Sequence, residues 1–437
     1  MTPAEPRDAE AVSSPSTSPP SPSARPLPAP AGWIAPFLVF ALAYLLSALL
    51  RAVTATLAPS FSSEFALDAA GLGLLAGAYF LGFALLQLPL GSALDIWGPR
   101  RVELVLLLLA VLGCVVFAAA TGFVQLVLGR LLIGMGVAAC LMAPLTYFRR
   151  HFPPELELRC NSWMLMTGSL GMVASTLPVQ LLLPLLGWRG VFWSTAVLLA
   201  SAVAALALRL PPDGARTPQP AGPTSGRYRD IVRRPEFVRM APIGLVLHGS
   251  LLALQALWIG PWLTQVCGWS ATQASRGLLL VNGGMLCAFF GWGALMPWLL
   301  RRGVSVHRLL ILGVPVSILL LLVNAWLGAR AEAWHWAAWC VATSLVAFGQ
   351  PALAQAYPLH MAGRALSAYN LVIFVGVFLL QWGIGAAIDH LRSSGLDAAG
   401  AFRSTIGAVG VLALASWLWF VARPDRRVHN RPRSSPT

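Results

Sequence analysis

The sequence predicts an all-α polytopic membrane protein with twelve transmembrane helices in two parallel six-helix pseudo-repeats. Three observations carry that expectation. Of 437 residues, 57% are hydrophobic and only 11% charged, whereas a soluble globular domain carries roughly 25% charged residues. Twelve apolar windows are long enough to cross the hydrocarbon layer, which takes about 20 helical residues. Two pairs of landmarks recur at nearly one offset between the halves of the chain.

The composition excludes several classes. A soluble fold needs polar side chains on its surface, and this chain has too few. A net charge of +14 would suggest nucleic acid in a soluble protein. Here no nucleic-acid partner is expected, because the charge lies in loops, where it sets topology. All the basic residues are arginine. The six cysteines, at 114, 140, 160, 267, 287 and 340, show no metal-ligand or disulfide-framework spacing. No metal, cofactor or enzymatic activity is expected, since no nucleophile–base set or phosphate loop is present.

The windows run over 33–60, 70–94, 101–121, 123–147, 160–184, 188–209, 241–265, 273–300, 307–327, 334–357, 364–389 and 402–422. This divides the chain into a disordered tail (1–32), a first six-helix bundle (33–209), a linker (210–240), a second bundle (241–422) and a second tail (423–437). The first tail is rich in Pro, Ser and Ala and lacks the apolar core of a secretory signal. The linker combines Pro211, Pro212, Pro218, Pro220 and Pro223 with Arg227, Arg229, Arg233, Arg234 and Arg239.

Arginine placement sets the expected orientation. With the N-terminus inside, the inward loops hold Arg100, Arg101, Arg149, Arg150, Arg159, the linker cluster, Arg301, Arg302, Arg308 and Arg364, and the second tail adds more. The outward loops hold Arg189, Arg276, Arg330, Arg392 and Arg403. Both termini are then cytoplasmic, in a cell inner membrane. Trp334, Trp336 and Trp339 are expected at the outer membrane surface, and Trp262 reads as part of an interfacial belt. Asp389 reads as a helix cap.

The repeat is visible at matching places. Pro59 follows the first window as Pro261 follows the seventh. Phe152-Pro153, then Arg159 and Ser162, precede or open the fifth window. Tyr357-Pro358, then Arg364 and Ser367, do so at the eleventh. Six crossings per half give both halves one orientation, an arrangement that puts a substrate site near the midplane between them.

Between the second and third windows stands Gly91-Ser-Ala-Leu-Asp95-Ile-Trp-Gly98-Pro-Arg100-Arg101. Gly91 permits close helix approach, Asp95 can pair with arginine or a helix N-terminus, and Gly98 supports a tight turn. This run resembles the GxxxDxxGxRR signature of the major facilitator superfamily. The resemblance covers roughly residues 33–422 and implies a conformational latch formed by Gly91, Asp95, Gly98, Arg100 and Arg101. Arg130, within Leu128-Gly129-Arg130, is similar to the family's arginine motif in the fourth helix and joins that latch set. Its role is either structural pairing or help with proton transfer. The Gly-Pro pair that drug/proton antiporters of the family carry in the fifth helix is absent from Gly168 to Pro178.

Arg51 is the most informative single residue. Tyr44, Ser47, Arg51 and Thr54 recur at spacings of three and four and so share one helix face. A guanidinium there offers fork geometry for a carboxylate or phosphate. The alternative is an arginine that snorkels to the interface or pairs with a helix end. Arg51 followed by Ala58-Pro59 also resembles the anion:cation symporter branch, whose members commonly import organic anions with protons. This chain departs from that branch: Leu50 stands where an acidic neighbour is common, and 137–143 holds no carboxylate. In the seventh window, His248, Gln255, Trp258 and Trp262 form a partner stripe. His248 is either a proton carrier or a hydrogen-bonded structural histidine.

The expected substrate-binding set is therefore Arg51, Tyr44, Ser47, His248, Gln255 and Trp258. The expected function is secondary active transport of a small anionic organic solute by alternating access, coupled to proton uptake. Efflux of a drug or metabolite, and a sensor or assembly protein that has lost transport, are the competing readings. The expected partners are a small-molecule substrate, the lipid bilayer and protons, with the protein as a monomer.

Overall fold

The structure is a computed structural model, and it describes residues 32–212 and 228–423. The expected tails and most of the Pro-rich linker lie outside the described residues. In the first half the helices are α1 (Ile34–Phe65), α2 (Ala69–Leu85), α3 (Gln87–Trp97), α4 (Pro99–Ala118), α5 (Phe123–Gly136), α6 (Met142–His151), α7 (Pro154–Ala174) and α8 (Leu177–Arg209). A short α9 (Tyr228–Val232) follows. The second half has α10 (Pro235–Val266), α11 (Ala271–Arg301), α12 (Val306–Leu327), α13 (Ala333–Gln355), α14 (Leu359–Ser393) and α15 (Ala398–Ala422). No strand occurs among the described residues.

Each of the twelve windows is helical over most of its length. Among the described residues, nine helices are long and apolar enough to span a membrane, and the pair α2–α3, bent by 45°, makes a tenth. The remaining windows are interrupted. A turn over 137–141 separates α5 from α6. The fifth crossing breaks at Ser175–Thr176 and continues into α8, whose true division falls at Gly187, with φ 62° and ψ 171°. Only glycine reaches that geometry readily. Several helices outrun their windows. α7 opens at Pro154 rather than 160, and α10 at Pro235 rather than 241. Their first turns are charged and extend beyond the hydrocarbon, where hydropathy gives no signal.

One face of the molecule carries the Arg100–Arg101 turn, α9 and the ends of α11 and α15. It is called the arginine-rich side here. On the opposite side the first half is tied by Glu64. Its carboxylate meets Arg189 at 2.6 Å and accepts from the Trp188 indole at 2.6 Å. Arg189 also donates to the Ala120 carbonyl at 3.0 Å. One cluster thus joins α1, the end of α4 and the kink of α8.

The halves meet along α2 and α14. A Cβ at Gly73 would strike the Gln381 carbonyl, and one at Gly385 the Ala69 carbonyl. Small residues let these backbones touch, which in lipid replaces the hydrophobic drive. Asp389 is a cap, and it caps the other half. Its carboxylate accepts from the backbone N–H of Ala69 at 3.1 Å and of Ala70 at 2.6 Å, at the start of α2. α9 bridges both halves, since the Tyr228 hydroxyl donates to Leu88 and the Tyr357 hydroxyl donates to Ile231.

The links between α11 and the first half, Ser275 to Gln180 and Asn282 to Met172, lie in the first half of α11. No residue from 286 to 301 is buried. Along α11 the halves therefore meet toward the opposite side and part toward the arginine-rich side, where α9 and the Gly91–Ser367 approach still join them.

The tryptophan expectations need correction. Trp334 is exposed as expected, but Trp336 and Trp339 are buried inside the second half. Trp262 is no belt residue either. It is buried, packs edge-on against Trp336 and donates to the Ala331 carbonyl at 3.0 Å. Aromatic rings near a span end look the same in sequence whether they face lipid or core.

Because Gly385 seats against a backbone carbonyl, Gly385→Leu should cost about 2 kcal/mol or more by overpacking. Gly383, with open space around its Cβ position, should accept alanine with little change. Tryptophan-fluorescence melts of the purified variants check both, and equal melting points would refute the seam as described.

Candidate functional site

The interior of the first half is organised by two arginines one helix apart. Arg130 on α5 is fully buried. It donates to the Leu50 carbonyl of α1 at 2.7 Å and lies 5.4 Å and 5.6 Å from the Phe117 and Phe192 ring centres. A cation among aromatic faces is stabilised by their quadrupoles. Arg130 thus pins α1 at the residue before Arg51. This contact lies in the interior, apart from the Asp95 and Arg100–Arg101 turn with which Arg130 is grouped by resemblance.

Arg51 is less deeply enclosed. It stands beyond the middle of α1 and is only partly buried. Its Nε has no hydrogen-bond partner, as is also true of Nε and one terminal nitrogen of Arg130, and neither arginine makes an ion pair among the described residues. Its guanidinium lies 5.9 Å from the Phe83 ring centre, and its polar neighbours are Tyr79, Tyr44 and the Cys140 thiol. Phe83 in turn meets Phe374 of α14 at 4.4 Å. Arg51 therefore points from α1 toward the seam between the halves. An intramembrane cation without a carboxylate is costly, and such residues mark sites of function.

The stripe on α1 contributes unequally. The Tyr44 ring packs over Gly168 of α7, and Tyr44 is nearly buried. Ser47 is buried with its hydroxyl unpartnered, while its carbonyl accepts from Tyr79 at 3.3 Å. Thr54 is buried as well. Tyr79 and Phe83 complete the surroundings from α2. Sequence reasoning missed both, because no periodicity reports contacts across helices.

In the second half, α10 contains three π-helical stretches, Ile243–His248, Leu254–Trp258 and Trp262–Val266. Such wide turns often accompany functional positions. His248 ends the first of them, nearly buried and with Nδ1 unpartnered. Gln255 donates to Asn282 at 2.9 Å, and Asn282 reaches the Met172 carbonyl of the first half at 3.5 Å. Trp258 donates its indole N–H to the Gln381 carbonyl at 3.2 Å and packs on Gly73. The polar groups of Gln255 and Trp258 are thus engaged within the seam, and these residues do not gather around Arg51.

The latch set sits at the arginine-rich side. Gly98 makes the turn with φ 82°. Asp95, largely exposed, meets Arg150 at 3.6 Å, and Arg150 also donates to the Leu94 carbonyl at 3.0 Å. Arg100 donates to the Ala207 carbonyl of α8 at 2.7 Å. Arg101 is exposed. Gly91 lies 3.9 Å, at its Cβ position, from the Ser367 hydroxyl on α14. The signature thus ties α3, α4, α6 and α8 together and abuts the other half.

Sequence reasoning also passed over Glu103, the only buried acidic residue among the described residues. Beside Arg100 and Arg101 it reads as part of a charged turn. The available signal was spacing: Glu103, Leu107, Ala110, Cys114 and Phe117 share one helical face, and all five have no solvent exposure.

The fold, the glycine seam and the signature turn define a major facilitator, and the sequence profile of the Major Facilitator Superfamily matches residues 40–381. The chain belongs to that superfamily and is a membrane transporter rather than an enzyme. It is similar to the glucose transporter GlcP of Staphylococcus epidermidis, at 20% identity over 77% of this chain and 82% of that one. The nitrate/nitrite transporter NrtP of Picosynechococcus matches at 36%, over 22% of this chain and 18% of its own. The 4-hydroxybenzoate transporter PcaK of Pseudomonas aeruginosa matches at 27%, over 43% and 42%. Among solved structures, the D-xylose-proton symporter superposes with a TM-score of 0.70 at 16% identity, covering 90% of this chain and 98% of that one.

The two arginines should respond oppositely to neutralisation. Arg130→Gln removes a charge-assisted hydrogen bond to the Leu50 carbonyl and two cation–aromatic contacts, and should cost about 1–3 kcal/mol. Arg51→Gln removes a cation that has no counter-charge and should leave the melting point unchanged or raise it. Parallel melts in detergent decide, and comparable losses in both variants would make Arg51 a structural residue.

Proposed function

We propose that this transporter imports a small organic anion together with a proton, with Arg51 as the anion's fixed counter-charge. The observation that carries the reading is Arg51 itself, a mid-membrane cation with no ion-pair partner among the described residues, directed at the seam between the halves. Tyr44, Ser47 and Tyr79 supply polar atoms beside it, and Phe83 and Phe374 supply apolar wall. Two partial relatives bear names of anion transporters, nitrate/nitrite and 4-hydroxybenzoate. The order of Arg51 and Ala58-Pro59 is similar to that in the anion:cation symporter branch.

Access follows the parting of the halves. The anion reaches or leaves Arg51 from the arginine-rich side in this conformation, while Asp389 and the α2–α14 seam close the opposite side. By the bias of loop arginines the arginine-rich side is cytoplasmic, both termini are cytoplasmic, the membrane is the cell's inner membrane, and the conformation is inward-open. Rocking of the halves about Arg51 then alternates access. The protein acts as a monomer. His248, Gln255 and Trp258 bound the opposing wall or the seam behind it.

The test is thermal stabilisation of purified protein by a panel of mono- and dicarboxylates, phosphorylated metabolites, sugars and cationic drugs. A ligand at about 100 times its dissociation constant should add about 2.7 kcal/mol. Anions alone should stabilise the wild type, and Arg51→Gln should abolish the effect. Stabilisation by neutral or cationic compounds that survives the substitution would overturn the anion reading in favour of efflux.

A further inference from the structure

We propose that the second half holds a binding site for a phosphate-bearing anion, in the cavity at the arginine-rich ends of α10, α12, α13 and α15. The cavity has a volume of about 620 Å³. All of its lining residues belong to the second half, whereas Arg51 stands in the first. The proposal is therefore independent of the anion-import reading.

The charge of the lining is one-sided. Arg233 stands just before α10, Arg239 in the second turn of α10, His307 in the first turn of α12 and Arg423 just past α15. Glu236 is the single acid of the lining, one helical turn before Arg239. Three guanidinium groups against one carboxylate leave a positive excess, whichever of them Glu236 pairs with. Arg233 and Arg423 are exposed, Glu236 and His307 are half-buried, and Arg239 is only 7% exposed. The cavity thus runs from a basic rim open to solvent down to a buried cation.

An arginine that only sets topology needs no more than a place near the membrane edge. Arg239 is held in place instead. Its Nε donates to the Phe420 carbonyl at 2.9 Å, and its guanidinium carbon lies 4.3 Å from the Phe420 ring centre. Its Nη2 meets the His307 ring at 3.0 Å. Arginine can only donate, so the His307 nitrogen accepts and the imidazole is neutral in this arrangement. His307 packs in turn on Phe420, with ring centres 5.1 Å apart. These contacts fix the guanidinium plane at the cavity wall. A preset planar fork of donors suits phosphoryl oxygens.

The rest of the wall is apolar, with Val238, Leu310, Leu353 and Phe420. The rim also lies at the depth of lipid headgroups. Exposed Trp419 carries the Arg423 guanidinium over its ring at 3.8 Å and donates its indole N–H to the Val238 carbonyl at 3.0 Å. On α11, Trp298 and Arg302 make a like pair at 4.0 Å. Exposed tryptophan beside arginine marks the interfacial layer, where phospholipid phosphates sit. The shared chemistry is the phosphate. Its carrier is either an anionic phospholipid of that leaflet or a soluble phosphorylated metabolite, and the apolar wall favours the lipid.

A phosphate held by Arg233, Arg239 and Arg423 ties the start of α10 to the end of α15. α10 is the helix that carries the π-helical stretches and His248. Occupancy therefore stabilises the second half at its arginine-rich end.

The experiment uses the purified, delipidated full chain in a neutral detergent. The probes are dihexanoyl-phosphatidylglycerol, which carries phosphate and chains, glycerol phosphate, which carries phosphate alone, and dihexanoylglycerol, which carries chains alone. Melting-point titrations read affinity, and native mass spectrometry counts retained lipid. A phosphate-bearing probe should raise the melting point and the chain-only probe should not. Replacing both rim arginines, Arg233→Gln with Arg423→Gln, should weaken binding about tenfold or more. Glu236→Gln should tighten it. Arg301→Gln with Arg302→Gln, equally exposed on the same side but outside the cavity, should leave it unchanged. Arg239→Gln should abolish binding. Loss of its Phe420 contacts can also unfold the chain, so the rim pair decides.

Binding of phosphatidylglycerol without glycerol phosphate identifies a lipid site, and binding of glycerol phosphate identifies a site for soluble phosphates; either upholds the cavity. No stabilisation by a phosphate-bearing probe overturns the proposal, and so does indifference of the rim pair. Equal weakening by the Arg301 and Arg302 pair would reduce the effect to general surface charge and overturn it as well. An effect lost in Arg51→Gln but kept in the rim pair would place the ligand at the transport site, against this proposal.

Discussion

No water enters the hydrocarbon layer, so each polar group that crosses it must find its partner within the protein. That constraint governs nearly every feature described here. Arg130 spends its charge on the Leu50 carbonyl and two aromatic faces. Trp258 and Trp262 give their indole protons to backbone carbonyls. Gln255 and Asn282 satisfy each other. The exceptions fall in both halves: Arg51, Ser47, Glu103 and part of the Arg130 guanidinium in the first, and His248, Asn324, Trp336 and the Gln381 amide in the second, each keep a buried polar atom without a partner.

The two halves use their common plan differently. The first half holds Arg130, Arg51 and the one buried acid among the described residues, while the second half buries Arg239 against the Phe420 carbonyl. The second half is built around tryptophan, with Trp258, Trp262, Trp336 and Trp339 buried together. It also contains all three π-helical stretches, on the helix that corresponds to α1. A charged half and an aromatic half meeting at one seam suits a site that needs a fixed cation on one wall and adaptable shape on the other.

The crossings were legible because hydropathy integrates over a whole span, and the length of the bilayer does the rest. The signature from Gly91 to Arg101 was legible because its spacing is rigid. Breaks were not. The turn at 137–141, the kink at Gly187 and the wide turns of α10 alter hydrogen-bond register without altering composition, so an averaged window cannot see them. Trp336 and Trp339 were misplaced for a related reason, since a ring near a span end reads alike toward lipid or core. For the site, the α1 stripe followed from helical spacing, but Tyr79, Phe83 and Phe374 reach Arg51 from other helices. Glu103 was masked by its arginine neighbours, although its position on the buried stripe of α4 was there to be read.

The Asp389 clasp has a consequence for the speed of the cycle. It joins a carboxylate of one half to the first amides of a helix in the other, and both partners lie at the membrane edge. When the halves separate there, water can solvate the carboxylate and the amides alike. Breaking the clasp therefore exchanges one set of hydrogen bonds for another of similar strength. A closure made of lipid-buried charges would lock; this one is close to balanced. A carrier that must visit both conformations many times per second needs a barrier that is low from either direction, and a solvent-exchangeable clasp at the rim provides it.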